Sequence, residues 1–175
     1  MADADPALQI GRPPKVKVKN ITVRQAEPGE LATVAGLRWR WIVENGTAPE
    51  TLDRDDFERH FVAWAAENAS SHRCMVLVRD TEIIGMAWLA IVPRVPTPHA
   101  LHRASGDLQC VYVVPQARDL GLGGRLIDAV LSTARDLGLE RVTVHSTSRA
   151  IPAYTRQGFE NSPRLLHTRV DGATP

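Results

Sequence analysis

Leu108 to Leu126 reads LQCVYVVPQARDLGLGGRL. Its first part, Leu108–Val114, is rich in β-branched and aromatic side chains, the composition of a buried strand. Pro115 ends that ladder, because it has no N–H to donate. Arg118, Gly121, Gly123 and Gly124 follow, and then apolar residues at helical spacing: Leu126, Ile127, Val130, Leu131, Ala134 and Leu137. A strand, a glycine-rich turn and a helix leave N–H groups at the helix start without partners and aim them at an anion. The glycines let the backbone approach a ligand with no Cβ in the way. Arg125, in the first helical turn, is a cation at the positive end of the dipole. That costs about 0.3–1 kcal/mol, which a bound phosphate would reverse.

Spacing separates the kinds of phosphate binder. The dinucleotide pattern G-x-G-x-x-G fails, because its third glycine would fall on Leu126. The P-loop fails at the same residue, where Gly-Lys-Ser/Thr is required. Arg118-x-x-Gly121-x-Gly123-Gly124 after a strand resembles the R/Q-x-x-G-x-G/A signature of the GNAT-type N-acetyltransferases. Further on, Thr147-x-x-Ala150-x-x-Ala153-Tyr154-x-x-x-Gly158-Phe159 is similar to that family's N-x-x-A-x-x-L-Y-x-x-x-G-F segment. The resemblance is strongest from Leu108 to Phe159.

What the resemblance implies is specific. Backbone N–H groups of Arg118, Asp119, Leu120, Gly121, Leu122, Gly123, Gly124 and Arg125 would hold the pyrophosphate of acetyl-CoA, the acetyl donor. Main chain at Val111 and Val113 would hydrogen-bond pantetheine and the acetyl carbonyl. Tyr154 would protonate the departing thiolate, a task its phenol suits; the plainer alternative is a tyrosine packing the end of a short helix. Thr147 stands where the family usually has Asn, so that cofactor contact is weaker or falls to Ser146. Ala117 stands where an aromatic is frequent. The base would lie near the strand before the glycine turn; Asp107 and Gln109 are local candidates, of which only Asp107 can accept a proton fully, and Glu44 is another. The implied activity is that of an acyltransferase moving acetyl directly from acetyl-CoA to a primary amine. Cys110, on the cofactor-side strand, is not in the expected nucleophile position. A non-catalytic acyl-CoA-binding module is the alternative, and a nucleotide-binding protein a third.

At 175 residues the chain has room for one domain with a sizeable core. Residues 1–19 read as a flexible arm and 20–175 as a single GNAT domain. A net charge of +1 with 23% charged residues gives no field favouring nucleic acid or an anionic membrane. The two cysteines, Cys74 and Cys110, read as reduced core residues. No apolar run approaches a membrane span and no leader is recognisable, so the expectation is a cytoplasmic protein. Such folds commonly dimerise, and a homodimer is allowed.

The remaining elements follow from period and punctuation. Ile21–Gln25 alternates as a strand; Pro28-Gly29-Glu30 opens a helix that Asn45-Gly46 ends. A second helix over Asp53–Glu67 is expected to bury Phe57, His60, Phe61, Trp64 and Ala65. His72–Arg79 and Glu82 to about Val92 form an antiparallel hairpin, with Gly85 at a bulge or close backbone contact. Pro93–Gly106 is expected to be a long functional loop. Arg141–His145 is a strand parallel to Leu108–Val114, Ser148–Gln157 a short helix, and Phe159–Val170 the last strand or two. The fold class is α/β (α+β): a mixed, mostly antiparallel sheet with helices on both faces. The resemblance adds a V-shaped splay between the two parallel strands. Trp39 is the tryptophan most open to lining an acceptor pocket, and His99-x-x-His102 lacks the further ligands of a metal site, so no metal is expected. The acceptor stays open among small amines, amino acids, aminoglycosides and protein lysines.

Overall fold

The computed structural model describes residues 20–47, 51 and 53–168. The arm expected over residues 1–19 lies outside these. The elements are β1 (Ile21–Gln25), α1 (Leu31–Glu44), α2 (Arg54–Glu67), β2 (His72–Arg79), β3 (Glu82–Arg94), β4 (Arg103–Val113), α3 (Leu122–Asp136), β5 (Val142–Val144) and α4 (Ile151–Arg156). They build one five-stranded sheet in the order β1-β2-β3-β4-β5. Its first three pairings are antiparallel and β4–β5 is parallel. The strand–helix–strand crossover through α3 is what makes that last pair parallel.

Local chemistry sets the helix starts. Asp53 caps α2 by accepting the Asp55 N–H at 3.1 Å. A 3-10 turn over Pro28–Glu30 leads into α1, closed by a capping box between Glu27 and Glu30. Arg24 of β1 donates to both Glu30 oxygens at 2.7 and 2.6 Å, tying the first strand to that turn.

Side-chain alternation divides the sheet into two faces. Met75 meets Thr133 of α3, and a Cβ on Gly85 would lie 3.2 Å from Leu126 of α3, so this face packs on α3. Trp88 meets Phe61 and Trp64 of α2 on the other face. Leu77, Leu89, Leu126, Ile127 and Val130 are fully buried between sheet and α3.

Both expected features of Gly85 are present. The β2–β3 register shifts beside it, between Leu77 and Val78. A Cβ at Gly85 would stand 2.8 Å from the Tyr112 carbonyl oxygen, so a side chain here would push the central strands apart.

Three expectations are corrected. The supposed long loop Pro93–Gly106 is ladder at both ends: β3 runs to Arg94 and β4 starts at Arg103, leaving 95–102 as the connection. The hairpin outruns its neighbours here, since β2 pairing stops at Ala90 and β5 pairing starts at Gly106. Pro93 is tolerated because the side of β3 away from β4 has no strand to receive an N–H.

On α2, His60 and Trp64 are exposed and only Ala65 is buried. His60 Nδ1 instead lies 2.8 Å from the Asp56 carbonyl. The helix rests on α1 and reaches the sheet through Phe61 and Trp64, so its apolar stripe is wider than its contact.

The last strand expected at Phe159–Val170 is not formed over 159–168, and 169–170 lie outside the described residues. Pro163 falls mid-stretch, where it lacks a donor, and Leu165 N–H bonds back to Ser162 O at 3.3 Å in a turn.

No described helix is long and apolar enough to cross a membrane.

Gly85→Ala is expected to lower unfolding stability by about 1–3 kcal/mol, the usual range for overpacking, read by denaturant titration; an unaltered midpoint would show that the strands can separate freely.

The Arg24 hydrogen bond, against an opposing effect of burial, holds the Glu30 carboxyl down at about 2. A depressed carboxylate stabilises fully above its ordinary value of about 4.3 and loses that contribution as pH falls towards 2. Glu30→Gln should therefore lower stability at neutral and alkaline pH and flatten the acid side of a thermal stability profile over that window, so that the two proteins converge as pH approaches 2.

Candidate active site

The glycine turn is built as the sequence implies. Asp119 (φ 63°) and Gly121 (φ 72°) are both left-handed, which folds the chain back into the start of α3. Arg125 N–H donates to Gly121 O at 3.3 Å, so the amides of Gly121 to Gly124 precede the first intrahelical bond. The helix start has no acidic side chain and no side-chain cap. A Cβ at Gly123 would meet nothing within 4 Å, whereas one at Gly124 would lie 2.7 Å from the Gln157 carboxamide of the segment after α4. Gly123 thus faces open space and Gly124 admits the neighbouring chain. Bare amides at a positive helix end suit a pyrophosphate.

The arginine side chains are directed elsewhere. Arg118 donates through Nε to the Val113 carbonyl at 2.9 Å and through Nη2 to Glu44 Oε2 at 2.6 Å. Arg125 donates to the Ile21 carbonyl of β1 at 2.8 Å. The penalty of a cation in the first turn of α3 is thus offset by a carbonyl of the sheet. Ala117 is 1% exposed, so an aromatic side chain has no room in that position.

β4 carries a bulge that the sequence pattern does not reveal. Met86 pairs with Tyr112 but Trp88 pairs with Gln109, so Cys110 and Val111 together oppose Ala87. Cys110 takes φ 52° to make this possible. Before the bulge, Gly106 N–H points to β5, donating to Arg141 O at 2.8 Å. After it, Val114 N–H points to β3, donating to Ile84 O at 2.9 Å. Alternation from Val114 sends the Val111 and Val113 amides to the β5 side. Among the described residues no strand receives them there, since β4–β5 pairing ends at Leu108–Val144. This is the splay that was expected.

Asp107 and Tyr154 are both near enough to Cys110 of the bulge to interact with it electrostatically. Asp107 Oδ2 accepts from Gln109 Nε2 at 2.7 Å, and Thr143 of β5 lies 3.4 Å from Oδ1. Tyr154, on α4, is half-buried with its ring 5.5 Å from Phe159. Burial first, and then the neighbouring Cys110 thiol, raise the Tyr154 pKa, so the phenol keeps its proton at neutral pH. Burial likewise raises the Cys110 thiol; the Arg38 charge opposes this and Asp107 adds to it. Burial thus keeps the Cys110 thiol protonated at neutral pH.

Glu44 is differently placed from a free base. Both its oxygens are engaged, by Tyr112 Oη at 2.6 Å and by Arg118 at 2.6 Å. Burial raises its pKa, but those hydrogen bonds and the charges of Arg118 and Arg40 prevail and hold it below the usual value. Ser146 Oγ donates to the Thr147 carbonyl at 2.9 Å, and Thr147 is exposed.

On the Asp107 face, rings form a chain from Trp39 through Phe57, Phe61 and Trp64 to His72, with Trp88 against the middle of it. Trp64 is 39% exposed and Trp88 only 4%. The Trp88 indole N–H has no partner among the described residues. A cavity of about 590 Å³ runs along β5, lined by Thr143, Tyr154, Phe159 and Leu165 among others.

This sheet, with its splayed parallel pair and bare helix start, is a GNAT fold. Residues 37–159 match the acetyltransferase (GNAT) family, and the chain belongs to it. It is 35% identical over 80 residues to a mycothiol acetyltransferase of Pseudarthrobacter chlorophenolicus, covering 44% of this chain and 24% of that protein. It is 25% identical to an amino-acid acetyltransferase of Neisseria meningitidis, over 81% of this chain and 28% of that protein. The chain thus spans about a quarter of the length of these relatives. Among solved structures, a predicted acetyltransferase of Clostridium acetobutylicum with acetyl-CoA superimposes with TM-score 0.70 at 16% identity, over 85% of this chain and 96% of that one. An acetyltransferase of Trypanosoma brucei gives 0.67 at 24% identity, over 86% and 100%.

Because both thiols are held protonated by burial, alkylation at pH 8 is expected to be slow, with Cys110 modified before the more buried Cys74. Peptide mass spectrometry after timed iodoacetamide treatment reads this; rapid labelling of Cys110 would show a thiolate there.

Proposed function

We propose that the protein is an acetyl-CoA-dependent N-acetyltransferase that passes acetyl directly to a primary amine. The observation that carries this is the free β5-side edge of β4 after the bulge, followed in the chain by the bare amides of the glycine turn. In this assignment the amides of Gly121–Gly124 bind the pyrophosphate. Those of Val111 and Val113 bind pantetheine and stabilise the oxygen that gains charge as the carbonyl is attacked.

The chemistry balances with two side chains. The amine nitrogen bonds to the thioester carbon as Asp107 takes a proton from it. The carbon–sulfur bond then breaks, and the thiolate takes the Tyr154 hydroxyl proton. Tyr154 is suited to this as a neutral donor of high pKa. Asp107 is suited as a carboxylate whose hydrogen bonds from Gln109 and Thr143 fix its orientation. Protonated Cys110 favours direct transfer over an acetyl-cysteine.

Relatives bear names with three different acceptors: mycothiol, an amino acid and glucosamine 6-phosphate. These differ from one another, so the acceptor is proposed only as a primary amine.

Thiol release from acetyl-CoA across a panel of amines and peptides tests the proposal; release in the presence of at least one amine, above hydrolysis, is expected. Binding of CoA without transfer to any amine would instead identify an acyl-CoA-binding module. Tyr154→Phe should lower kcat about a hundredfold with the calorimetric Kd for acetyl-CoA unaltered. Since the Tyr154 pKa is raised, the alkaline fall of wild-type kcat should lie above the ordinary tyrosine value of about 10. Asp107→Asn should remove the acid limb of the pH–rate profile; an intact limb would eliminate Asp107 as the base.

A further inference from the structure

We infer that Glu44 is a positioning residue: it latches the last turn of α1 to the glycine turn through Arg118 and to β4 through Tyr112, and so sets affinity for acetyl-CoA. This rests on the cofactor reading above and adds to it a residue outside every motif.

Glu44 is the last residue of α1, where the negative end of the helix dipole disfavours a carboxylate. It is also partly buried, with 32% of its side chain exposed. Its place is offset by two charge-assisted hydrogen bonds, one to each oxygen, from residues 68 and 74 positions away. The Arg118 guanidinium also lies 5.4 Å from the centre of the Tyr112 ring. These three side chains therefore form one closed unit.

Arg118 carries the latch to the cofactor side. Its Nε holds the Val113 carbonyl, in the strand residue whose amide faces the open β5 side. Its own backbone enters the turn that contains left-handed Asp119 and Gly121. With Glu44 in place, the guanidinium is fixed at both ends, and the turn that follows it is held against β4. Without the carboxylate, Arg118 keeps only the carbonyl bond, and the amides of the turn are ordered on binding instead of before it. Preordering of this kind changes affinity while the reacting groups stay where they are. It also ties the end of α1, on the Asp107 face of the sheet, to the cofactor turn at the end of β4.

Glu44→Gln tests this, since the amide keeps the shape and loses the charge. The expected result is a rise of about tenfold in the calorimetric Kd and in KM for acetyl-CoA, within the range usual for coupled groups, with kcat altered less than about threefold and the pH–rate profile unshifted. In the ligand-free protein, amide hydrogen exchange over residues 115–125 should be faster in the variant while that of β2 and β3 is unaltered. Adding Glu44→Gln to Arg118→Met should produce little further loss, because both remove the same link. Tyr112→Phe gives the same direction with a smaller effect if Glu44→Gln folds poorly. Unaltered affinity and unaltered exchange would overturn the latch, as would a fall in kcat with loss of the acid limb, which would make Glu44 a base. If the wild type itself binds no CoA, the cofactor reading fails, and the exchange comparison still decides whether Glu44 orders the turn.

Discussion

A strand has two edges, and each amide serves one of them. β4 lies between β3 and β5, so its N–H groups alternate between the two neighbours. The extra residue at Cys110 changes that alternation by one step. Amides at Gly106 and Leu108 face β5 before the bulge; Val111 and Val113 face that side after it, where the partner strand has ended. The same step acts on the side chains. Asp107 and Gln109 share the α1–α2 face with Trp88 and, past the bulge, so does Tyr112, although it stands at even spacing from neither. Without the left-handed residue, Tyr112 would turn towards α3 and could not reach Glu44. One backbone conformation thus sets both the free edge of the gap and the contact that fixes α1.

Charge follows a related division. Two arginines flank a turn that suits an anion, yet both guanidinium groups bond to protein: Arg118 to Glu44 and Val113, Arg125 to Ile21. What remains open to a phosphate is the run of amides at the start of α3 and the empty space beside Gly123. Arginine side chains carry considerable conformational freedom, which must be lost when they grip a ligand. Amides fixed by a helix are already oriented. The arginines serve to hold that orientation, one tying the turn to α1 and the other tying α3 to β1.

The sequence disclosed the features that depend on local chemistry. Strand and helix periods, Gly85 as a point of close approach and the glycine turn were all legible, because each follows from residue type at fixed spacing. Cys110 was not, because its left-handed backbone is required by register against β3 and neither glycine nor asparagine marks it. The Glu44–Arg118 pair spans 74 residues and leaves no periodic trace. Pro93–Gly106 suggested a loop because it holds three prolines and no apolar period. Pro93 sits instead where the hairpin has left its outer neighbours behind, a condition visible only once strand order is known. The exposure of His60 and Trp64 was hidden for a similar reason: an apolar stripe reveals which face turns inward, and the width of the surface it meets depends on the rest of the fold.

The two halves of the proposed site also differ in how they can be read. On the cofactor side, recognition is assigned to main chain, and main chain constrains sequence only where a Cβ or a negative φ would interfere. Hence a few glycines and a tyrosine suffice to disclose that side. On the Asp107 face, the surface is made of side chains: Trp39, Phe57, Phe61, Trp64 and Trp88, each turned by packing against the next. Rings at helical spacing look the same in a sequence whether they fill a core or line a recess. The exposure of Trp64, and the indole N–H of Trp88 that has no partner among the described residues, appear only when α2 is set on the sheet. The glycine turn is therefore legible from backbone requirements, while the ring-lined surface on the Asp107 face rests on side-chain packing that residue spacing alone does not disclose.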